Sequence, residues 1–143
     1  MTIKKRTTAG LLTSTTTTLP TLGLGAKFGK LVAIRARNYA SSAKLAAGTD
    51  VLTKLKLTDN NGDVVFLDAA DKDYATAELT LYPYLDDAVT GLNIVAVDAT
   101  GTATVATEGT PSDIVLESPV TVQVLNGATV TDYFECQLIV DVG

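Results

Sequence analysis

Histidine is absent from this chain, and that limits what its other reactive residues can do. The commonest general base and the commonest zinc ligand are removed together. The single cysteine, Cys136, can form no intrachain disulfide and has no imidazole to activate it as a nucleophile. It lies in an alternating apolar stretch and reads as a small core residue. Asp59, Asn61 and Asp63 recur at a spacing of two, as oxygen ligands do in a calcium loop. The twelfth position of that loop is Ala70, where a glutamate is required, so the stretch reads as a turn on Asn61-Gly62. Asp86-Asp87 are adjacent carboxylates, which diverge in an extended chain, and read as a solvated loop. Gly23, Gly25 and Gly29 miss both the dinucleotide and the P-loop spacing. A glycosidase-type carboxylate pair would have to be drawn from 16 acids, none marked by its surroundings, and tryptophan is absent as a sugar platform. These residues predict a protein that is not an enzyme, with no cofactor and no structural metal.

The basic cluster Lys4-Lys5-Arg6 remains, and its chemistry is electrostatic contact with a partner. The formal net charge is −5, but its layout is uneven. All 11 bases lie between Lys4 and Lys72, so residues 1–72 carry 11 bases and 5 acids, and residues 73–143 carry 11 acids and no base. A nucleic-acid surface would use Lys4, Lys5 and Arg6 with Arg35 and Arg37. The acidic total and the low aromatic content disfavour it. A basic cluster on an acidic body fits contact with protein better, either a second copy or another subunit. The alternative is that folding interleaves the two halves and mixes the signs.

The elements that must position these residues are strands. The 143 residues suit one domain, and 46% hydrophobic content is enough for a core. Threonine and valine are abundant, and the usual helix-forming mixture is thin. Residues 118–142 hold the clearest pattern. Val120, Val122 and Val124 share one face, and Phe134, Cys136, Leu138, Val140 and Val142 another, with Asn126-Gly127 between them. This predicts a closing antiparallel hairpin. A second hairpin is predicted from Val51, Thr53, Leu55 and Leu57 through Asn61-Gly62 to Val64–Leu67. Gly29–Tyr39 is a strand with Val32, Ile34 and Ala36 on one face. Further strands are expected at 75–84, 93–97, 102–107 and 113–117, and a loop or single helical turn at 41–48. Phe134, Leu138, Val140, Val122, Val124, Ile34, Leu55 and Leu57 should form one core cluster. Strands at spacings of about ten residues predict an all-β fold, an antiparallel β-sandwich with a jelly-roll variant as runner-up.

Residues 1–28 read differently. They hold the basic cluster, a threonine run and breakers at Pro20, Gly23 and Gly25. The apolar run ends at Leu12, too short for a signal peptide, and no stretch approaches the ~20 apolar residues of a membrane span. Residues 1–28 are therefore expected to be an extended N-terminal arm that reaches a neighbour, and residues 29–143 the sandwich domain.

Gly29-Lys-Leu-Val-Ala-Ile34, Leu55-x-Leu57-Thr-Asp-Asn-Asn-Gly-Asp63, Tyr82-Pro83-Tyr84 and Glu117-Ser-Pro-Val-Thr-Val122, followed by an alternating strand, together resemble small β-sandwich virion proteins of tailed bacteriophages. The resemblance spans residues 29–142 and rests on generic hairpin features. It implies a non-enzymatic capsid cement or decoration protein that stabilises the head through subunit contacts, with the major capsid protein or other virion subunits as partners. It also implies homo-oligomers, no membrane contact, and location in the virion after assembly in the host cytoplasm. Lys4, Lys5 and Arg6 are the candidate partner contacts. A neck or tail component, or an adhesion or carbohydrate-binding sandwich, are the alternatives.

Overall fold

A computed structural model describes residues 1–12, 15–40, 52–67, 72–74, 79–81, 94–97, 103–105, 114–126 and 132–143. These residues form strands and no helix: β1 (Ile3–Leu11), β2 (Thr16–Thr18), β3 (Phe28–Tyr39), β4 (Leu52–Thr58), β5 (Val64–Leu67), β6 (Lys72–Asp73), β7 (Leu79–Leu81), β8 (Ile94–Val97), β9 (Ala103–Val105), β10 (Val115–Glu117), β11 (Thr121–Asn126) and β12 (Tyr133–Asp141). One antiparallel sheet, A, has the order β1-β12-β3-β10, with β7 also on β3. A second, B, has the order β2-β11-β4-β5, with β6 also on β4. Strands β8 and β9 pair with each other. The protein is an all-β sandwich. Stretches 41–50, 82–93 and 106–113, with Asp86-Asp87 and Tyr82-Pro83-Tyr84, lie outside the described residues, as does Ala70.

The core is the layer between the two inner faces, where alternate residues of both sheets interdigitate. Ile34, Leu55, Leu57, Val122, Val124, Phe134, Leu138 and Val140 all belong to one buried cluster, as the alternation predicts. Cys136 is buried with them. Tyr74 meets Phe134 edge-on, with ring centroids 5.6 Å apart. Along β12 every second residue is buried from Phe134 to Val140, and the half-buried Ile139 is the one aliphatic residue among those between them.

Three expectations need correction. First, residues 1–28 are extended but are not an arm. Strand β1 pairs with β12 over nine consecutive residues, Ile3↔Asp141 to Leu11↔Tyr133. Strand β2 pairs with β11, and the pairing continues through Leu19 and Leu22, whose N–H groups donate to Val122 and Val120 carbonyls at 2.9 and 2.8 Å. Leu12, Leu19, Leu22 and Leu24 sit in the core cluster. The breakers Pro20 and Gly25 do not detach the segment. Both follow β2, where the chain returns from the edge of sheet B to β3 in sheet A, so no boundary falls at residue 28.

Second, β11 and β12 are not a hairpin. β11 pairs with β2 and β4 in sheet B, and β12 with β1 and β3 in sheet A. The alternation is the same in either arrangement, because one buried face per strand serves a strand across the core as well as one beside it. The six residues between Asn126 and Tyr133 are ample to cross the ~10 Å between packed sheets. The hairpin predicted at β4–β5 is present.

Third, β3 changes face partway along. Leu138 pairs with Ile34 and Ile139 with Ala33, but Val140 pairs with Leu31. Val32 is therefore an extra residue, a β-bulge that shifts the side-chain phase by one. Leu31 and Ile34 both point into the core at 0% exposure, and Val32 is only half-buried.

Candidate interaction surface

The structure divides the basic triplet. The register sets Lys4 opposite Val140 and Arg6 opposite Leu138, so both lie on the inner face, at the mouth between the sheets. Their heads gather over the turn at Gly25, where φ is +77°. A Cβ there would lie 2.6 Å from Arg6 Nη2 and 2.8 Å from Lys4 Nζ. Glycine is required twice over, by the left-handed backbone and by the two cations. Arg6 Nε is buried with no hydrogen-bond partner among the described residues. Its aliphatic stem therefore helps to close the core, as long cationic side chains commonly do. Lys5 is opposite Ile139, exposed on the outer face. Of the three candidates, Lys5 stands on the side of the sheet that faces away from the core.

That outer face can be read row by row from the register of β1, β12, β3 and β10. Ile3, Asp141, Lys30 and Val115 form one row across four strands. Above it lie Lys5, Ile139 and Ala33, then Thr7, Gln137 and Arg35, then Ala9, Glu135 and Arg37, and finally Leu11, Tyr133 and Tyr39. Phe28 pairs with Glu117 at the lower end. Opposite charges sit directly across strands at Asp141/Lys30 and Glu135/Arg37, an arrangement that stabilises a sheet. The Arg37 guanidinium also lies 5.0 Å from the Tyr39 ring centre, a cation–π distance. Apolar side chains frame the charges: Ile3 is 47% exposed, Leu11 58%, Phe28 50% and Val115 54%. Sequence reasoning passed over these four, since none was singled out as a core or contact residue. For Phe28 and Val115 the signal was phase, since they share a face with Lys30 and Glu117; for Ile3 and Leu11 the sequence held no such signal, because both faces of β1 carry charge.

Asp141 is the best-held carboxylate on this face. Its Oδ1 accepts the Gly143 N–H at 3.0 Å and the Thr2 N–H at 3.2 Å. The Gly143 hydrogen bond, with the Thr2 N–H, the N-terminal charge and Lys30, holds its pKa below the ordinary value of 3.8, against a smaller opposing effect of desolvation. Thr2 O in turn accepts the Val142 N–H at 2.9 Å.

The outer face of sheet B is threonine-rich. Thr18, Gln123, Lys56 and Leu67 form a row, with Thr16, Leu125 and Lys54 beside it, and Gln123 Nε2 donates to Thr18 Oγ1 at 3.1 Å. The Asp59–Asp63 loop is a turn held by Asp59. Its Oδ1 accepts the Asn61 and Asp63 N–H groups at 3.0 and 3.2 Å, and its Oδ2 accepts the Glu117 N–H at 3.3 Å. Both carboxylate oxygens are thus engaged by the backbone. Gly62 supplies the positive φ, +86°. Among the described residues no group of three or more His, Cys, Asp or Glu side chains could hold a metal ion, and no helix is long and apolar enough to cross a membrane.

Much of the chain's negative charge lies in one stretch. Residues 68–113 hold nine acids and one base, net −8, and the remaining residues hold ten bases and seven acids, net +3. Compared with known proteins, the chain matches no family model and no curated protein.

Proposed function

We propose that this chain is a non-enzymatic structural subunit of a virion, a capsid decoration or cement protein of the tailed-phage type. Two lines support the reading. One is the sequence resemblance over residues 29–142. The other, which carries it, is the outer face of sheet A. Exposed apolar residues at its margins surround charges of both signs on a continuous four-strand platform. That composition suits contact with another protein, where apolar anchors are set in a polar surround. A free arm plays no part in it, because β1 and β2 are paired within the sandwich.

The test uses particles stripped of this protein. The full-length chain is added back, and binding and particle melting are measured. Phe28→Ser and Val115→Ser, both at exposed positions, should leave the fold intact and weaken binding about tenfold or more each. Added salt should weaken it further if the charged rows take part. Unchanged binding in the double variant would remove sheet A's outer face as the contact. Failure of the wild-type chain to bind any particle would remove the decoration reading itself.

A further inference from the structure

Among the described residues β1 is an edge strand, and that edge carries a self-complementary pattern. β1 ends the order of sheet A, and its nine-residue pairing with β12 contains no bulge and no proline. The direction of its hydrogen bonds is fixed at both ends. The Val142 N–H donates to Thr2 O, and the Leu12 N–H donates to Asp132 O. Even-numbered residues therefore turn their backbone groups toward β12. By the alternation of an antiparallel ladder, Ile3, Lys5, Thr7, Ala9 and Leu11 turn theirs to the open edge. A long unbroken edge of this kind is a template for strand pairing unless it is blocked by charge, proline or a bulge. Here charge occupies only Lys4, Lys5 and Arg6.

We propose that two copies of the chain pair β1 to β1, antiparallel about a two-fold axis at Thr7, joining two A sheets into one. A second copy fits this edge better than an unrelated strand because the pattern is symmetric about Thr7. The two exposed aliphatic residues of β1, Ile3 and Leu11, lie four positions on either side of it. In this register Ile3 stands opposite the partner's Leu11 at both ends, and each covers the other. Lys5 stands opposite the partner's Ala9, whose neighbour on β12 is Glu135. The small alanine leaves Lys5 room to reach over it to the partner's Glu135, so opposite charges meet across the join. Arg6 faces the partner's Thr8, with its head turned back to its own Gly25. Registers centred nearer the N-terminus, at or before Arg6, set Lys4, Lys5 and Arg6 against one another, which like-charge repulsion opposes. The pairing is isologous, as expected of a two-fold dimer. It holds whether or not the chain decorates a particle.

The experiment combines mass and register. Sedimentation of the full chain over a concentration series should show a monomer–dimer equilibrium. Thr7→Pro removes an N–H that sheet A does not use, and should raise the dimer dissociation constant about 100-fold or more with unchanged far-UV circular dichroism. Thr7→Cys places two thiols opposite each other across the axis, within disulfide reach, and should cross-link on mild oxidation. Ala9→Cys faces the partner's Lys5 and should not. The Cys variants keep the test decisive if the proline variant misfolds. A chain that is monomeric throughout the series, or cross-linking by Ala9→Cys and not by Thr7→Cys, overturns the proposal.

Discussion

Leu24→Ala tests whether the N-terminal segment belongs to the core. Leu24 is 0% exposed, and its Cδ1 lies 3.1 Å from where a Cβ on Gly29 would stand, a point that is also 3.5 Å from Val140 Cβ. Its backbone N–H donates to Ser118 Oγ at 3.0 Å, and this bond survives truncation to alanine. What is lost is burial. Removing three carbons at roughly 0.8 kcal/mol each gives about 2.4 kcal/mol of transfer energy. The unfilled cavity adds to this, toward an upper limit of ~5 kcal/mol. For a domain of this size the loss corresponds to a fall in melting temperature of roughly 7–20 °C. Urea titration followed by far-UV circular dichroism measures it, with Leu12→Ala as a second probe of the same segment. A loss below about 0.5 kcal/mol for both, the level of ordinary surface substitutions, would refute the placement and restore a detached arm.

Leu138→Ala, in the middle of the most buried strand, should cost ~2–5 kcal/mol, and a near-neutral result would mean that β12 turns its other face inward. Asp59→Ala strips three backbone N–H groups of their acceptor and should cost about 1–2 kcal/mol; EDTA should leave the melting temperature of the wild type unchanged, because the carboxylate caps a turn. Asp141 has a folded pKa below its unfolded value, so its contribution is present above about pH 3.8 and is lost as pH falls through the lower folded pKa. Asp141→Asn should therefore lower stability near neutrality, by a difference that closes as the pH falls below about 4, while a carboxyl chemical-shift titration of Asp141 itself should show the depressed midpoint.

The sequence revealed local periodicity well and partnership poorly. The inward residues of β4, β11 and β12 were legible because a single alternation runs through each. In β3 the bulge at Val32 broke the alternation, and nothing in Leu-Val-Ala-Ile distinguishes a bulge from a regular strand, since all four are apolar. The placing of Leu12, Leu19, Leu22 and Leu24 was missed for a different reason. Their spacing follows neither period, because the segment serves two sheets in turn and each leucine is buried by a different neighbour. The basic triplet was visible as charge, but its division into one outward and two inward side chains depends on the pairing of β1 with β12. That pairing joins residues about 130 positions apart.

The place of β12 within sheet A also sets the order in which the protein can fold. β12 lies between β1 and β3, yet it is synthesised after both of them. Until it emerges from the ribosome, the two strands it joins have no common neighbour and the inner faces of both stay uncovered. Folding of sheet A therefore waits for β12, is dominated by contacts distant in sequence, and is slow for a domain of this length. During that interval the exposed edge of β1 is open to strands from other nascent chains, so synthesis on crowded polysomes is the stage at which this protein is most prone to mispair.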